Sequence, residues 1–301
     1  MQFYYADTFV LPLPPGHRFP MEKYSGLRQA ILDQGVSPER LRLPEAATRE
    51  ELVRAHDPTY VDRVIEGRLS EAEIRRIGFP WSSQMVERSR RSAGATLGAC
   101  RSALTYGCSI NLAGGTHHAA YDTGSGFCVF NDAAIAARAM QAEQGIGQVL
   151  IIDCDVHQGD GTARILAGDD SVFTFSIHGA RNFPFDKAVS DLDIELEDGT
   201  GDAAYLAALE EGLATAFAHT SPELAIYLAG ADPYTDDRLG RLDLSMAGLL
   251  ARDEKVLTSC RQRGIPVAIA MAGGYARQIE DTVAIHAATV ACARRLFEGA
   301  P

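Results

Sequence analysis

The side chains of this sequence that could do chemistry sit in a few short stretches. Gly114-Gly115-Thr116-His117-His118 sets two imidazoles side by side after a glycine pair, and Asp153-Cys154-Asp155-Val156-His157 alternates carboxylates and an imidazole with apolar residues. Asp160, Asp232 and Tyr275 each follow or precede a glycine-containing turn. A carboxylate oxygen and an imidazole nitrogen suit a small divalent ion of the zinc type. Asp155, His157 and Asp232 would give such an ion three protein ligands and leave one position for water or substrate, the arrangement of a catalytic site. An ion held in this way lowers the pKa of a bound water toward about 7 and polarises a carbonyl. The His117–His118 pair can supply a general base that later acts as an acid, the second imidazole being its electrostatic neighbour. Asp153 and Asp160 are the nearest carboxylates to set the imidazole tautomers. A tyrosine hydroxyl delivered by Gly273-Gly274-Tyr275 suits an oxyanion donor.

These residues need a scaffold that brings them together. Val149-Leu150-Ile151-Ile152 is a continuous apolar run and reads as a strand buried on both faces of a parallel sheet. If the extended geometry persists to His157, then Asp153, Asp155 and His157 project to one side and Cys154 to the other. Cys108 to Leu112, Val172 to Ile177, Leu224 to Ala229 and Pro266 to Met271 read as further strands. Gln2 to Tyr5 and Leu192 to Leu196 read as outer ones. Helices are expected at Ser82 to Tyr106, Asp132 to Glu143, Gly201 to Ala218, Ser245 to Arg263 and Ile279 to Phe297, with a set of short ones from Ser25 to about Arg76. Asp57-Pro58 marks an N-cap before proline at the first helical position. Alternating strands and helices imply an α/β fold: a mostly parallel sheet with helices on both faces, here as one domain over residues 1–301. In such a sheet the carboxyl ends of the strands share one edge, so the four polar clusters converge there.

Composition narrows the class. The chain has 301 residues, 46% of them hydrophobic, and a formal net charge of -12. That charge argues against nucleic-acid binding through a basic surface and favours cationic or neutral partners. The six cysteines show no CxxC pairing and read as buried hydrophobes of a reducing, cytoplasmic compartment. The first twenty residues lack a basic n-region and are broken by Asp7 and prolines, so they do not read as a signal peptide, and no apolar run is long enough to span a membrane. Oligomeric state leaves no trace in the sequence.

The motifs GGTHHAAYDTGSGFCVFND, IIDCDVHQGDGT, FSIHG, LAGADP and AGGYAR resemble, in order and spacing, the zinc-dependent histone deacetylase superfamily, most of all its bacterial class IV-like and acetoin-utilisation-like deacetylases. The resemblance covers about Gly16 to Ala291 and implies the arginase-deacetylase fold. It implies Asp155, His157 and Asp232 as ligands of Zn2+ (or Fe2+ in the cell). His118 becomes general base and acid, His117 its partner, Asp153 and Asp160 their carboxylates, and Tyr275 the carbonyl-polarising hydroxyl. It further implies a structural K+ or Na+ held by Asp153, Asp155, His157, Ser176 and Ile177, and an acyl-lysine tunnel lined by Gly126, Phe127 and Phe183.

Two positions depart from the family pattern. Ala272 stands where relatives usually carry a third glycine, and Pro58, with Asp57 one residue away, stands where relatives often carry a rim aspartate that holds the substrate backbone. His178 reads as structural, and His17, His56, His219 and His286 as surface or packing residues. The expected activity is therefore removal of an acyl group from a lysine side chain or another primary amine. The alternatives are an acetylpolyamine or small-molecule amide hydrolase, a binuclear manganese ureohydrolase, and a non-catalytic acyl-lysine-binding module. The ureohydrolase would need Asp-x-His-x-Asp where this chain has Asp-x-Asp-x-His.

Overall fold

The computed structural model describes residues 1–299; residues 300–301, the end of the span expected as one domain, lie outside the described residues. In chain order the elements are β1 (Phe3–Tyr4), α1 (Glu22–Asp33), β2 (Leu41–Arg42), α2 (Arg49–Leu52), α3 (Pro58–Ile65), α4 (Glu71–Ile77), α5 (Ser83–Tyr106) and β3 (Cys108–Asn111). They continue with α6 (Asp132–Gln144), β4 (Val149–Asp153), α7 (Asp160–Leu166), β5 (Val172–Gly179), β6 (Leu192–Leu196), α8 (Asp202–His219), β7 (Leu224–Leu228), α9 (Met246–Gln262), β8 (Val267–Ala270) and α10 (Ile279–Glu298). Local chemistry sets several boundaries. Asp57 accepts the Tyr60 N–H at 2.9 Å to open α3, with Pro58 at its first position. The Ser82 hydroxyl accepts from Met85 N at 3.0 Å to open α5, and Gly145, at φ 68°, closes α6 in the left-handed conformation that a side chain disfavours.

The eight strands form one parallel sheet in the order β2-β1-β3-β8-β7-β4-β5-β6. Its central strands are buried on both faces, which is why they read as unbroken apolar runs. Alternation then sorts the core. Leu150 and Ile152 pack with side chains of α1, α8, α9 and α10, among them Ile31, Leu209, Val256 and Val290. Val149 and Ile151 pack on the other face with α5 and α6, among them Leu97, Ile135 and Met140. Each fully buried Leu, Ile or Val contributes about 1.5–3 kcal/mol of apolar transfer energy, and this rigid platform is what holds the loops at the carboxyl edge.

Several details differ from the sequence expectation. Strand β4 ends at Asp153 and residues 154–159 form a loop, so strand alternation does not extend to His157. Strand β1 has two residues, and α1 begins at Glu22, three residues before the expected start at Ser25. A 3-10 turn at Pro38–Arg40, strand β2 and helix α7 carry too little periodicity to be seen beforehand. All six cysteines are buried and free. Among the described residues no helix is long and apolar enough to cross a membrane.

Candidate active site

The loops that follow β3, β8, β7 and β4 carry the dihistidine, Tyr275, Asp232 and the Asp155–His157 pair respectively, and these four strands are consecutive neighbours in the sheet. Each loop has its own anchor. The Asp132 carboxylate, at the start of α6, accepts the backbone N–H of Gly115 at 2.9 Å and of Thr116 at 2.8 Å, and so fixes the turn before His117. A Cβ at Gly115 would lie 2.3 Å from that of Ala272, and this close approach of two loops requires glycine there.

The two imidazoles stand 4.2 Å apart between ring centres and have separate carboxylates. His117 Nδ1 is 2.6 Å from Asp153 Oδ2, and His118 Nδ1 is 2.7 Å from Asp160 Oδ1. Their environments drive them in opposite directions. Burial alone would lower His117, but the Asp153 and Asp155 carboxylates outweigh it and raise the pKa to about 9. Burial, reinforced by the charge on His117, lowers His118 to about 4 against the pull of Asp160. One imidazole is thus held protonated and the other neutral, with its Nδ1–H donated to Asp160 and its Nε2 lone pair free.

Asp155, His157 and Asp232 are buried together, each offering a ligand atom within 4.8 Å of the others. Main-chain N–H groups aim the carboxylates: Asp155 Oδ1 accepts from His157 N at 3.0 Å, Asp155 Oδ2 from Gly273 N at 2.8 Å, and Asp232 Oδ1 from Val156 N at 2.9 Å. Asp232 Oδ2 is buried without a hydrogen-bond partner. Burial, with Asp155 beside it, pushes this carboxyl up to about 7, a position that a divalent cation would relieve. A Cβ at Gly273 would lie 2.0 Å from Asp232 Oδ2 and 2.5 Å from Asp155 Oδ2, so the space is kept clear by a glycine. An oxygen-and-nitrogen donor set, an orphaned carboxylate oxygen and a cleared cradle fit a divalent ion of the zinc or ferrous type.

These groups lie in a cavity of about 650 Å³. Gly126 and Phe127 form part of its wall at φ 53° and 66°, Phe127 being a non-glycine residue in the strained left-handed region. The Phe183 ring stands edge-on to His118 with centroids 4.8 Å apart. Tyr275 lines the same cavity. Burial raises its pKa well above the ordinary value, so the hydroxyl remains a donor.

Residues 17–291 match the model of the histone deacetylase domain family. The chain belongs to the histone deacetylase family. It is 43% identical over 295 residues to an uncharacterised protein of Picosynechococcus, with 97% of this chain and 98% of that protein covered. It is 31% identical to histone deacetylase 2 of Arabidopsis thaliana, with 92% of this chain and 75% of the relative covered. In shape it resembles the crystal structure of an HDAC homologue from Aquifex aeolicus, with TM-score 0.83 and 22% identity, over 97% of this chain and 83% of that one. The single parallel sheet with its helices is the arginase-deacetylase fold of this histone deacetylase family.

Within this family framework the structure brings together every residue singled out in the sequence for the divalent ion, for proton transfer and for the tunnel. For the monovalent cation, Asp153 lies opposite Ser176 in the β4–β5 register, and Ser176 Oγ is 2.9 Å from His178 Nδ1. His178, His56 and His286 are buried, and His17 packs on Phe127 at 5.7 Å. Asp57 is engaged in capping α3 and does not line the cavity, so no carboxylate stands at the expected rim position.

The sequence reading missed several supports. Lys23 on α1 is buried, donates to the carbonyls of Ala272 and Gly274 at 3.3 and 3.4 Å, and places its ammonium 5.3 Å from the Tyr275 ring centre. Asp237 accepts the Tyr275 N–H at 2.6 Å. Arg252, buried on α9, donates to the carbonyls of Cys154 and Gly230, one in each of the loops that carry Asp155–His157 and Asp232. Arg252 had a visible signal: with Asp253 it occupies helical core positions between Leu249 and Val256. Lys23 and Asp237 lie in segments whose motifs gave none.

Proposed function

We propose that the protein is a metal-dependent amidohydrolase that removes an acyl group from a lysine side chain or another primary amine, as one catalytic domain. The observation that carries the reading is the pair of adjacent histidines, each on its own carboxylate, lining the same cavity as the Asp155–His157–Asp232 cluster. Zn2+ or Fe2+ bound by those three side chains would supply an acidic water and polarise the acyl carbonyl. His118 Nε2 accepts the proton of the attacking water and returns it to the departing amine, while Asp160 holds the ring in the required tautomer. His117, kept protonated by Asp153, stabilises the developing negative charge. The Tyr275 hydroxyl donates to the oxyanion that forms from the carbonyl. Gly126, Phe127 and Phe183 offer an apolar passage for the methylene chain of the substrate. A monovalent K+ or Na+ at Asp153, Asp155, His157, Ser176 and Ile177 would buffer the crowded carboxylates.

The test is hydrolysis of acyl-lysine reporters. The wild-type protein is expected to release the free acid, and His118→Ala to lose about 10²–10⁴-fold in kcat, the usual worth of a general base. Full activity in His118→Ala would overturn the assignment.

A further inference from the structure

The charge at the mouth of the cavity runs against the charge of the chain. Acidic residues outnumber basic ones by 40 to 28, yet the cavity is lined by Arg18, Arg75, Arg76, Arg181 and Arg241 above Lys23, against only Asp155 and Asp232 among the described acidic residues. Those two aspartates belong to the metal cluster on the floor. The exposed arginines come from unrelated elements: the loop after β1, the end of α4, and the loops after β5 and β7.

Their positions are anchored to the tunnel wall. The carbonyls of Arg76 and Ile77 accept the N–H groups of Gly126 at 3.2 Å and of Phe127 at 2.8 Å, which ties the end of α4 to the tunnel. Asn182 accepts the Arg241 N–H at 3.2 Å and donates to the Leu239 carbonyl at 2.8 Å, which joins the other two loops beside Phe183. The guanidiniums are poorly neutralised. Arg75 meets Glu71 at 3.3 Å with both side chains largely in solvent, where a pair is worth little. Arg181 lies 3.6 Å from Glu197 and 3.8 Å from Asp198, and Arg241 shares that Asp198 at 3.1 Å. Arg76 donates to the Thr123 hydroxyl at 2.9 Å; neither it nor Arg18 has an ion-pair partner among the described residues.

Resting on the deacylase reading, we infer that the preferred substrate is an acyl-lysine whose flanking chain is anionic, with carboxylate groups placed just outside the tunnel where Arg76 and Arg241 can engage them. Local charges within about 10 Å dominate recognition at ordinary ionic strength; there Glu71, Glu197 and Asp198 offset part of the arginine charge, while Arg18 and Arg76 keep theirs without an ion-pair partner among the described residues. A guanidinium fork matches a carboxylate in two hydrogen bonds. The position where a rim aspartate was sought is thus replaced functionally by cations, and the polarity of recognition is inverted. Cationic amines such as acylated polyamines are disfavoured by the same field. The carboxylate can come from acidic side chains of a protein segment or from the free α-carboxylate of acyl-lysine.

The test compares acetyl-lysine peptides flanked by glutamate, glutamine or lysine, together with Nα-capped acetyl-lysine as its free acid and its amide. kcat/KM is measured for each at low salt and at about 0.5 M salt, and equilibrium binding of the labelled peptides is followed by fluorescence anisotropy. We expect a preference of about five- to tenfold for glutamate over lysine flanks, carried in KM and shrinking in high salt, as for a few exposed ion pairs. In the variant carrying Arg76→Gln and Arg241→Gln the glutamate-to-lysine ratio falls toward one, and Arg76→Lys with Arg241→Lys restores only part of it, since lysine supplies the charge without the two-bond fit. A preference in the free acid over the amide without one in the peptides assigns the terminal carboxylate as the source; the reverse assigns side chains. Equal rates for all flanks together with equal rates for the free acid and the amide, or a preference for lysine flanks, overturns the inference while leaving the deacylase reading intact. Selective binding of the glutamate peptide without hydrolysis of any substrate overturns the deacylase reading and supports anion recognition.

Discussion

His157 Nδ1 lies 3.3 Å from Asp232 Oδ2, a buried carboxylate oxygen that accepts no hydrogen bond. The two residues come from loops after neighbouring strands β4 and β7. An imidazole and an orphaned carboxylate oxygen at this separation, with Asp155 completing the set, are arranged to share something positively charged. The backbone around them is arranged for the same end, since it uses main-chain N–H groups to aim the other oxygens and spends no further cationic side chain on Asp232.

Gly273→Ala tests that cradle sterically. Its backbone is not among the positive-φ glycines, so alanine is accommodated by the chain, but the new methyl meets both carboxylates. The expected outcome is loss of stoichiometric metal by elemental analysis, with a far-UV circular dichroism spectrum like that of wild type. Retention of one metal per chain would show that the methyl does not intrude.

Arg252 is fully buried, salt-bridged to Asp253 at 2.8 Å, and Asp253 in turn accepts from the hydroxyls of Tyr227 and Thr289 at 2.5 Å each. Arg252→Ala leaves Asp253 without its counter-charge and frees the Cys154 and Gly230 carbonyls. We predict a loss of about 3–5 kcal/mol in denaturant unfolding, as for removal of one partner of a buried pair, together with weaker metal retention. A change below about 1 kcal/mol, the range of exposed pairs, would contradict this role.

His56 supplies a pH dependence of its own. Its Nδ1 bonds the Ala120 carbonyl at 2.9 Å and its Nε2 accepts the Asn131 N–H at 2.8 Å, an arrangement that needs the neutral ring. Burial lowers its pKa from 6.5 to about 4. Between those values the unfolded chain binds the proton that the folded one refuses. The stabilisation is therefore complete above pH 6.5 and is lost as the pH falls toward 4, amounting to about 3 kcal/mol. The drop in denaturant midpoint from pH 7 to pH 4.5 should be smaller in His56→Gln than in wild type; equal drops would refute the assignment.

Much of this could be read from the chain because the sheet is parallel and buried. Val149 to Ile152 announces its strand by composition, and a shared carboxyl edge follows from strand-helix alternation, so the meeting of His117, His118, Asp155, His157, Asp232 and Tyr275 was accessible in advance. Strand alternation itself was the wrong device for Asp155 and His157. The strand stops at Asp153, and a loop pinned by Asp153 Oδ1 to the Asp155 N–H at 3.1 Å does the aiming. What stayed hidden depends on loop paths. Lys23 precedes the helical span expected from Ser25, Asp237 lies in a loop, and the arginine mouth is assembled from the end of α4 and three separate loops, so no local pattern links its members. Ala272 illustrates a quieter gap: it replaces an expected glycine yet holds φ 54°, a left-handed backbone that costs an alanine about 1–2 kcal/mol.

The most direct measurement is metal reconstitution. Protein stripped by a chelator is titrated with Zn2+ or Fe2+ while metal bound per chain and acetyl-lysine hydrolysis are followed together, for wild type and Asp232→Asn. The account predicts that wild-type activity is absent after stripping and returns in proportion to the first equivalent, and that Asp232→Asn neither holds that equivalent nor recovers. Undiminished hydrolysis by the stripped protein, or an Asp232→Asn variant that binds and recovers like wild type, would contradict it.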